Sequence, residues 1–392
     1  TIGLMVARDT ASCGFSSVVL EQEAAIGGVW AKNDYPGLRL QISGASYRCL
    51  SVAPAWTKVG EGKDDVCYRP TGQEVLAYLQ ELASSHKLIS VMTNTSYLRH
   101  TGSGGKYVVR TSQKQFAVRA IAFAPGAHET TAGSPHWPID PSTVTNGACI
   151  VHSSALAACH RKFHKAQKKY VVGASKAAID ILETLDPEDE GVIWAHRGHI
   201  VFHNRDRIHA ALRRGKAASS AIIAQAHTGN LYLKNQQFAI AFHGMLKSGA
   251  GIHVGLPLSA QPMMRGGVQS EASMAFVRRF IQCQVIVKTV RCHDGVLQIC
   301  CEDGRVLSVT KDDAAVLCTG QRASNAGEGS YARRAEYNKD GLFHVAPFSS
   351  TTPTNALYML HCVVSYLKGT PSAYNDGRVA AAFAKQAKYM ET

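Results

Sequence analysis

Short apolar runs separated by turn residues organise the chain. Leu4, Met5, Val6 and Ala7 lead into a helix that ends near Cys13-Gly14. Ser17-Val18-Val19-Leu20-Glu21 reads as a buried strand, a β-branched run that ends on an acid. Thr71-Gly72-Gln73-Glu74 is a capping box, and the helix it opens carries Val75, Leu76, Leu79, Leu82 and Ala83 on one face. Short strands with turns at 102–105 follow Thr93, and Val118 to Ala124 reads as one apolar strand stopped by Pro125-Gly126.

Further on, Tyr170-Val171-Val172 runs into Gly173-Ala174-Ser175-Lys176-Ala177-Ala178. A helix is expected to about Leu185, then a strand at Gly191 to Ala195. This β-turn-α-β unit predicts a parallel, doubly wound sheet. Residues 284–290, 295–301 and 306–309 read as a β-meander with turns at Asp294-Gly295 and Asp303-Gly304. Ala314 to Cys318 is a buried strand ending in Thr319-Gly320, and an Ala-rich helix is expected at Asp376 to Met390. From Arg197 to Phe280 there are helical patches without a readable motif.

Composition narrows the classes. The chain has 392 residues, 45% of them hydrophobic and 18% charged, which predicts two globular domains or one two-part unit. No apolar run approaches the ~20 residues of a membrane span; the longest, Ala356 to Leu367, carries His361. A basic leader followed by an apolar core is not visible, so no secretory signal is expected. The 11 cysteines are odd in number and lack metal-type spacing. They read as reduced thiols of a cytoplasmic protein. Cys159, His160 and His164 come closest to a metal set but have no second ligand pair nearby, so no metal is expected.

The formal charge of +13 fits anionic partners such as a nucleotide cofactor, a carboxylate substrate or nucleic acid. The densest cluster, Arg161, Lys162, Lys165, Lys168 and Lys169, reads as a solvated helix face. The sequence has no nucleic-acid-binding motif, which removes that partner.

A unit that grips FAD needs a buried strand, a G-x-G-x-x-G loop, a helix facing the pyrophosphate, and a second strand ending in an acid for the ribose. The first helix and the strand ending in Glu21 supply two of these parts, and Gly3 stands where the third glycine belongs. Only Thr1 and Ile2 precede it. The expectation is a unit without its first strand and glycine loop; because that loss would leave the flanking strands' backbone groups unpaired, something fills the gap or the sheet is rearranged.

The next segment carries a resemblance. Val19-Leu20-Glu21, then Gly27-Gly28-Val29-Trp30, then Tyr35-Pro36-Gly37-Leu38-Arg39-Leu40-Gln41 resemble flavin-containing monooxygenases, the FAD- and NAD(P)H-dependent class B enzymes, in particular fungal ones. The resemblance implies an α/β fold of two Rossmann-like dinucleotide-binding domains. It divides the chain into a FAD-type domain at 1–160 plus 311–392 and an inserted NADPH-type domain at 161–310. It also implies that Gly3, Glu21, Gly27, Gly28 and Trp30 descend from FAD contacts, and Gly173, Ser175 and Arg197 from NADPH contacts, Arg197 toward the 2′-phosphate.

Departures from the family pattern accumulate. Gly147 and His152 are one residue too far apart for the family fingerprint, Thr145 and Leu156 replace its aromatic positions, and Gln41 stands where an Asn is common. Ala124-Pro125-Gly126 and Cys318-Thr319-Gly320-Gln321 alter two conserved-type turns, and Ala174 replaces a frequent glycine. Together with the absent loop they predict a non-redox enzyme of secondary metabolism needing no cofactor. It would be a cyclase of Diels–Alder type, or an isomerase, folding a hydrophobic terpene or polyketide in the former flavin cleft. Orientation supplies the rate and a donor polarises a conjugated carbonyl, with Arg39, Gln41, Tyr47 and His152 as candidates. A working FAD and NADPH monooxygenase and a non-catalytic partner protein are the alternatives. For single residues a structural role stays open: Trp30 and Tyr35 as core aromatics, Arg39 in a surface ion pair, His152 as a satisfied interior histidine, Gly173 as a tight βα turn.

Overall fold

The computed structural model describes residues 2–33, 35–41, 44, 47, 49, 52, 54–57, 68–124, 139, 141–197, 200–206, 251–253, 263–319, 341–344, 363–364 and 366–369. The helix expected at Asp376–Met390 and the turn residues Pro125, Gly126, Gly320 and Gln321 lie outside these. The chain forms two compact units. The first comprises Thr1–Lys32, Ser43–Thr131 and Ala323–Thr392, the second Asn33–Ile42 and Ala132–Arg322.

In the first unit, helix α1 (Ile2–Ser12) buries Leu4, Met5, Val6, Ala7 and Ala11 and packs on strand β1 (Ser17–Leu20). It ends where Gly14 takes a left-handed φ of 88°, which glycine adopts without steric cost. β1 pairs in parallel with β2 (Ile89–Met92), Ser17 opposite Ile89 and Leu20 opposite Met92. After α2 (Val29–Lys32) comes α3 (Gly72–Ser84). Its capping box is formed: Thr71 Oγ1 accepts from the Glu74 amide at 3.2 Å and Glu74 Oε2 accepts from the Thr71 amide at 2.8 Å. Val75, Tyr78, Leu79 and Leu82 make its buried stripe.

Three antiparallel strands follow, β3 (Tyr97–Ser103), β4 (Lys106–Thr111) and β5 (Gln115–Val118). The run expected as one strand from Val118 to Ala124 is broken. β5 ends opposite Tyr107, and the Ile121 amide donates instead to the Gly341 carbonyl. β6 (Ile121–Phe123) thereby changes partner and pairs in parallel with Leu342–His344.

The second unit is built on a seven-stranded sheet. β7 (Cys149–His152), β8 (Lys169–Val172), β9 (Val192–His196), β13 (Gln284–His293) and β16 (Ala314–Leu317) run parallel, and β14 (Val296–Cys301) and β15 (Val306–Val309) extend one edge antiparallel. The order is β15-β14-β13-β9-β8-β16-β7. The strands at 149–152 and 314–317, assigned from the sequence to the FAD-type domain, thus hydrogen-bond in the same sheet as Tyr170–Val172.

β8 and β16 are buried along their whole length, as expected of parallel strands covered on both faces. Val171, Trp194 and Val316 pack on one face with Phe163 of α4 (Leu156–Lys165) and with Ile179 and Leu182 of α5 (Lys176–Leu182). Tyr170, Val172, Ala195 and Leu317 pack on the other with Val285, Leu297 and Ile299. Burial and the Asp313 charge push the Tyr170 phenol up to about 12. In the meander, Asp294 and Gly295 take φ of 49° and 72°, the pairing a two-residue hairpin turn requires.

The stretch that resisted reading holds a three-stranded sheet. β10 (Ile200–Asn204) lies between β11 (Gly251–His253), antiparallel, and β12 (Met263–Gln269), parallel. Helix α6 (Glu271–Arg278) follows, capped by Ser270, whose side chain accepts from the Ser273 amide.

Candidate functional site

In the first unit, Glu21, Gly27, Gly28, Trp30 and Tyr47 follow β1 or lie near α2. Glu21 ties its amide to the Met92 carbonyl at 2.9 Å, and its Oε1 accepts from the Glu23 amide at 3.0 Å. Gly27 has a φ of 132°, which favours glycine, and a Cβ there would lie 2.6 Å from Leu76 Cδ1 of α3, a side-chain end that would have to shift. Gly28 differs: its φ is 57°, and a Cβ would meet nothing within 4 Å. Gly3 is less constrained, its added Cβ coming 3.5 Å from Ala124 Cβ, an ordinary contact. Trp30 donates its indole N–H to the Tyr47 hydroxyl at 2.7 Å, the rings edge-to-face at 5.9 Å. The sequence proposed these two separately; the structure joins them.

Further residues that the sequence reading missed lie in this unit. The Cys49 thiol is 3.3 Å from Asp9 Oδ1, and the Tyr78 hydroxyl accepts from the Cys49 amide at 2.8 Å while donating to the Val52 carbonyl at 2.9 Å. Burial, first of all, pushes the Tyr78 phenol far up, with Cys49 and Asp9 adding to it. Tyr78 therefore remains a neutral donor that orders this loop.

The second unit holds Tyr35, Arg39, Gln41, His152, Gly173, Ser175 and Arg197. Gly173 follows β8 with φ 112°, and a Cβ there would lie 2.5 Å from the Cys318 carbonyl oxygen. Its amide donates to the Ala195 carbonyl at 2.7 Å, and its carbonyl accepts from Trp194 Nε1 at 2.9 Å. Both main-chain groups are thus engaged by neighbouring protein. Ala174 is buried in the core. Ser175 occupies the N-cap of α5 without a side-chain capping hydrogen bond. Lys176, one turn before Asp180, forms an ion pair with it, and the pair is 9% and 3% exposed. Asp180 Oδ2 also accepts from the Tyr35 hydroxyl at 3.2 Å. Burial, and then the Asp180 charge, push the Cys318 thiol far up, so it stays protonated and unreactive.

The remaining residues are apart. Arg39 and Arg197 are exposed, and Gln41 is half-buried. Gln41 Oε1 accepts from the Val268 amide at 2.9 Å, which ties the YPG segment to β12. His152 is buried and caps its own turn: Nδ1 accepts from the Ser154 amide at 3.1 Å and lies 2.8 Å from Ser154 Oγ. Two concavities of about 500 Å³ indent this unit, one lined in part by His293, Gln298 and Lys311, the other by Glu188, Asp189 and Gln284. Neither includes a residue proposed from the sequence. No helix among the described residues is long and apolar enough to cross a membrane. No three His, Cys, Asp or Glu side chains among them group to hold a metal ion.

The turn at Gly28 fits a dinucleotide in part, with open space at Gly28 and an acid at Glu21. The turn at Gly173 is more tightly packed, the protein's own groups engaging Gly173, Ala174 and Lys176.

No protein-family model matches the chain, and no curated protein does. Solved structures do. An oxidised steroid monooxygenase bound to NADP shares 15% identity over 100% of this chain and 90% of that one, with a TM-score of 0.57. An open cyclohexanone monooxygenase shares 13% over 99% and 91%, with 0.55. An FAD-bound cadaverine monooxygenase of desferrioxamine biosynthesis, from Erwinia amylovora, shares 14% over 94% and 92%, with 0.51. The strand order, the two units and these likenesses together assign the chain the two-part Rossmann-like α/β fold of flavin monooxygenases.

Proposed function

We propose that this protein is an enzyme acting on a hydrophobic small molecule without reduced nicotinamide, as a cyclase of Diels–Alder type or an isomerase. The observation that carries this reading is the turn at Gly173. Its amide and carbonyl are bonded to β9, its missing side chain faces the Cys318 carbonyl, and the Lys176 charge is neutralised by Asp180. A monooxygenase cycle draws its electrons from a nucleotide that such a turn would hold; the protein groups packed around Gly173 support a reading without it. The two units correspond, in this reading, to the FAD-type and the inserted NADPH-type domains of the ancestral fold.

The mechanism rests on shape and polarisation. Holding a substrate in its reactive conformer lowers the barrier by several kcal/mol, and a donor on a conjugated carbonyl adds to that. Of the four proposed donors, Gln41 and His152 carry structural duties, as their bonds to Val268 and Ser154 describe. Arg39, exposed, and Tyr47, which accepts from Trp30, are the better candidates.

The second reading, an FAD- and NADPH-dependent monooxygenase, is favoured by the neighbours bound to FAD and NADP and by the open space at Gly28. The two separate in one experiment. The purified protein, scanned for flavin absorbance, is incubated with a linear polyene carrying a conjugated carbonyl, with and without NADPH. The proposed reading expects an isomeric product of unchanged mass in both incubations. A product heavier by one oxygen, formed only with NADPH, would establish the second reading instead.

A further inference from the structure

Among the buried donors of the second unit that have no acceptor among the described residues, Gln284 Nε2 included, two stand at the ends of paired strands. Arg205, directly after β10, is 6% exposed, and its Nη1 makes no hydrogen bond. Gln269, the last residue of β12, is 1% exposed, and its Nε2 makes none. Their places are linked. β10 and β12 are parallel, and Asn204, one residue before Arg205, is the register partner of Gln269. Gln269 Oε1 meets the Ser273 hydroxyl at 3.3 Å, and the same hydroxyl bonds Glu183. Glu183 is one of the acids acting on Arg205, with Asp206 and Asp180; burial outweighs them and holds that guanidinium below its usual range.

Native proteins seldom leave a buried donor without a partner. Arg205 and Gln269 also lie at the carboxyl ends of parallel strands, where open α/β sheets hold their ligands. The local charges narrow what could sit there. Arg205 and Lys176 face Asp180, Glu183 and Asp206, so carboxylates outnumber cations. A phosphate or carboxylate would be repelled, and a cation could not use two N–H donors. A neutral sp² oxygen has two lone pairs, one for each donor.

We propose that the carboxyl ends of β10 and β12 form a site for the carbonyl oxygen of a neutral small molecule, held by Arg205 Nη1 and Gln269 Nε2. The site does not depend on the reaction proposed above, since a ketone would bind there whether or not the enzyme uses flavin. Neither residue stood out in the sequence, because the pairing of β10 with β12 joins segments some sixty residues apart that share no motif.

The probe is 4-fluoroacetophenone, its affinity read by fluorine NMR and its carbonyl stretch by infrared difference spectroscopy on the wild-type protein. Expected are saturable binding and a shift of the stretch to lower frequency. Arg205→Met and Gln269→Leu should each weaken binding by about tenfold, equivalent to about 1.4 kcal/mol, and Arg205→Lys by less. Each truncation also removes a partnered group, the Gln269 Oε1 that meets Ser273 or the Arg205 charge beside its acids, so a cooperative melt is checked for each variant before its affinity is read. Should one fail to fold, the other variant and the wild-type infrared shift still decide. Absence of saturable binding (an internal water as the only acceptor), an unshifted stretch, or binding that the folded variants leave unchanged overturns the proposal.

Discussion

Gly28 and Gly173 both precede a helix and both hold positive φ, 57° and 112°, yet their surroundings are opposite. Nothing lies within 4 Å of a Cβ placed on Gly28, while the Cys318 carbonyl lies 2.5 Å from one placed on Gly173. The same residue type, at what the resemblance marks as a flavin-lining loop and a nucleotide turn, therefore answers to different constraints. At Gly28 the reason is backbone conformation alone, and space remains for a ligand. At Gly173 a neighbouring strand fills the space, and packing explains the glycine without a nucleotide. A glycine motif read from sequence does not separate these cases; the environment of the absent side chain does.

The contrast can be broken first at the ion pair that closes the second turn. Asp180→Ala leaves Lys176 buried without its carboxylate and the Tyr35 hydroxyl without that acceptor. It should cost about 3–5 kcal/mol in denaturant unfolding, and a loss below 1 kcal/mol would mean that the pair does not hold the turn. The glycines themselves give the next effect. Gly173→Ala combines an unfavourable φ with a backbone collision and should cost about 2–4 kcal/mol. Gly28→Ala carries only the left-handed penalty, about 1–2 kcal/mol. Equal losses in the two variants would erase the distinction.

The smallest effect lies at the other end of β8, where Lys169 Nζ bonds Asp189 Oδ2 at 2.9 Å. Burial pushes the Asp189 carboxyl upward, but the bonds from Lys169 and the Gly191 amide, with the Lys169 charge, outweigh it and hold it below the usual carboxylate range. A depressed carboxylate stabilises the fold above its unfolded pKa, and that stability is lost as pH falls through the lower folded value. Asp189→Asn should therefore narrow the gap to wild type in melting temperature below about pH 4, while the wild type keeps its advantage at neutral pH. A gap independent of pH would assign the pair no part in that stability.

Elements with local signatures were legible in the sequence. Thr71 and Glu74 specify the start of α3 by themselves, Asp294-Gly295 specifies a hairpin, and the apolar runs at Tyr170–Val172 and Ala314–Leu317 mark the buried parallel strands. The break between Val118 and Ile121 was not legible, because it depends on Gly341, more than two hundred residues away, offering a carbonyl. The site was legible only as residue types. Tyr35 was proposed on the resemblance, and its core role needed Asp180; Trp30 and Tyr47 were both named, but not as a bonded pair. Arg205 and Gln269 matter through a register between distant strands, which periodicity cannot convey.

The central claim is that the turn at Gly173 no longer serves a nicotinamide nucleotide. Equilibrium titration of the purified protein with NADPH, followed by nucleotide fluorescence, tests it most directly. The account predicts no saturable binding at millimolar nucleotide, about the weak limit of specific affinity. Saturable binding at micromolar NADPH, lost in Arg197→Ala, would contradict it.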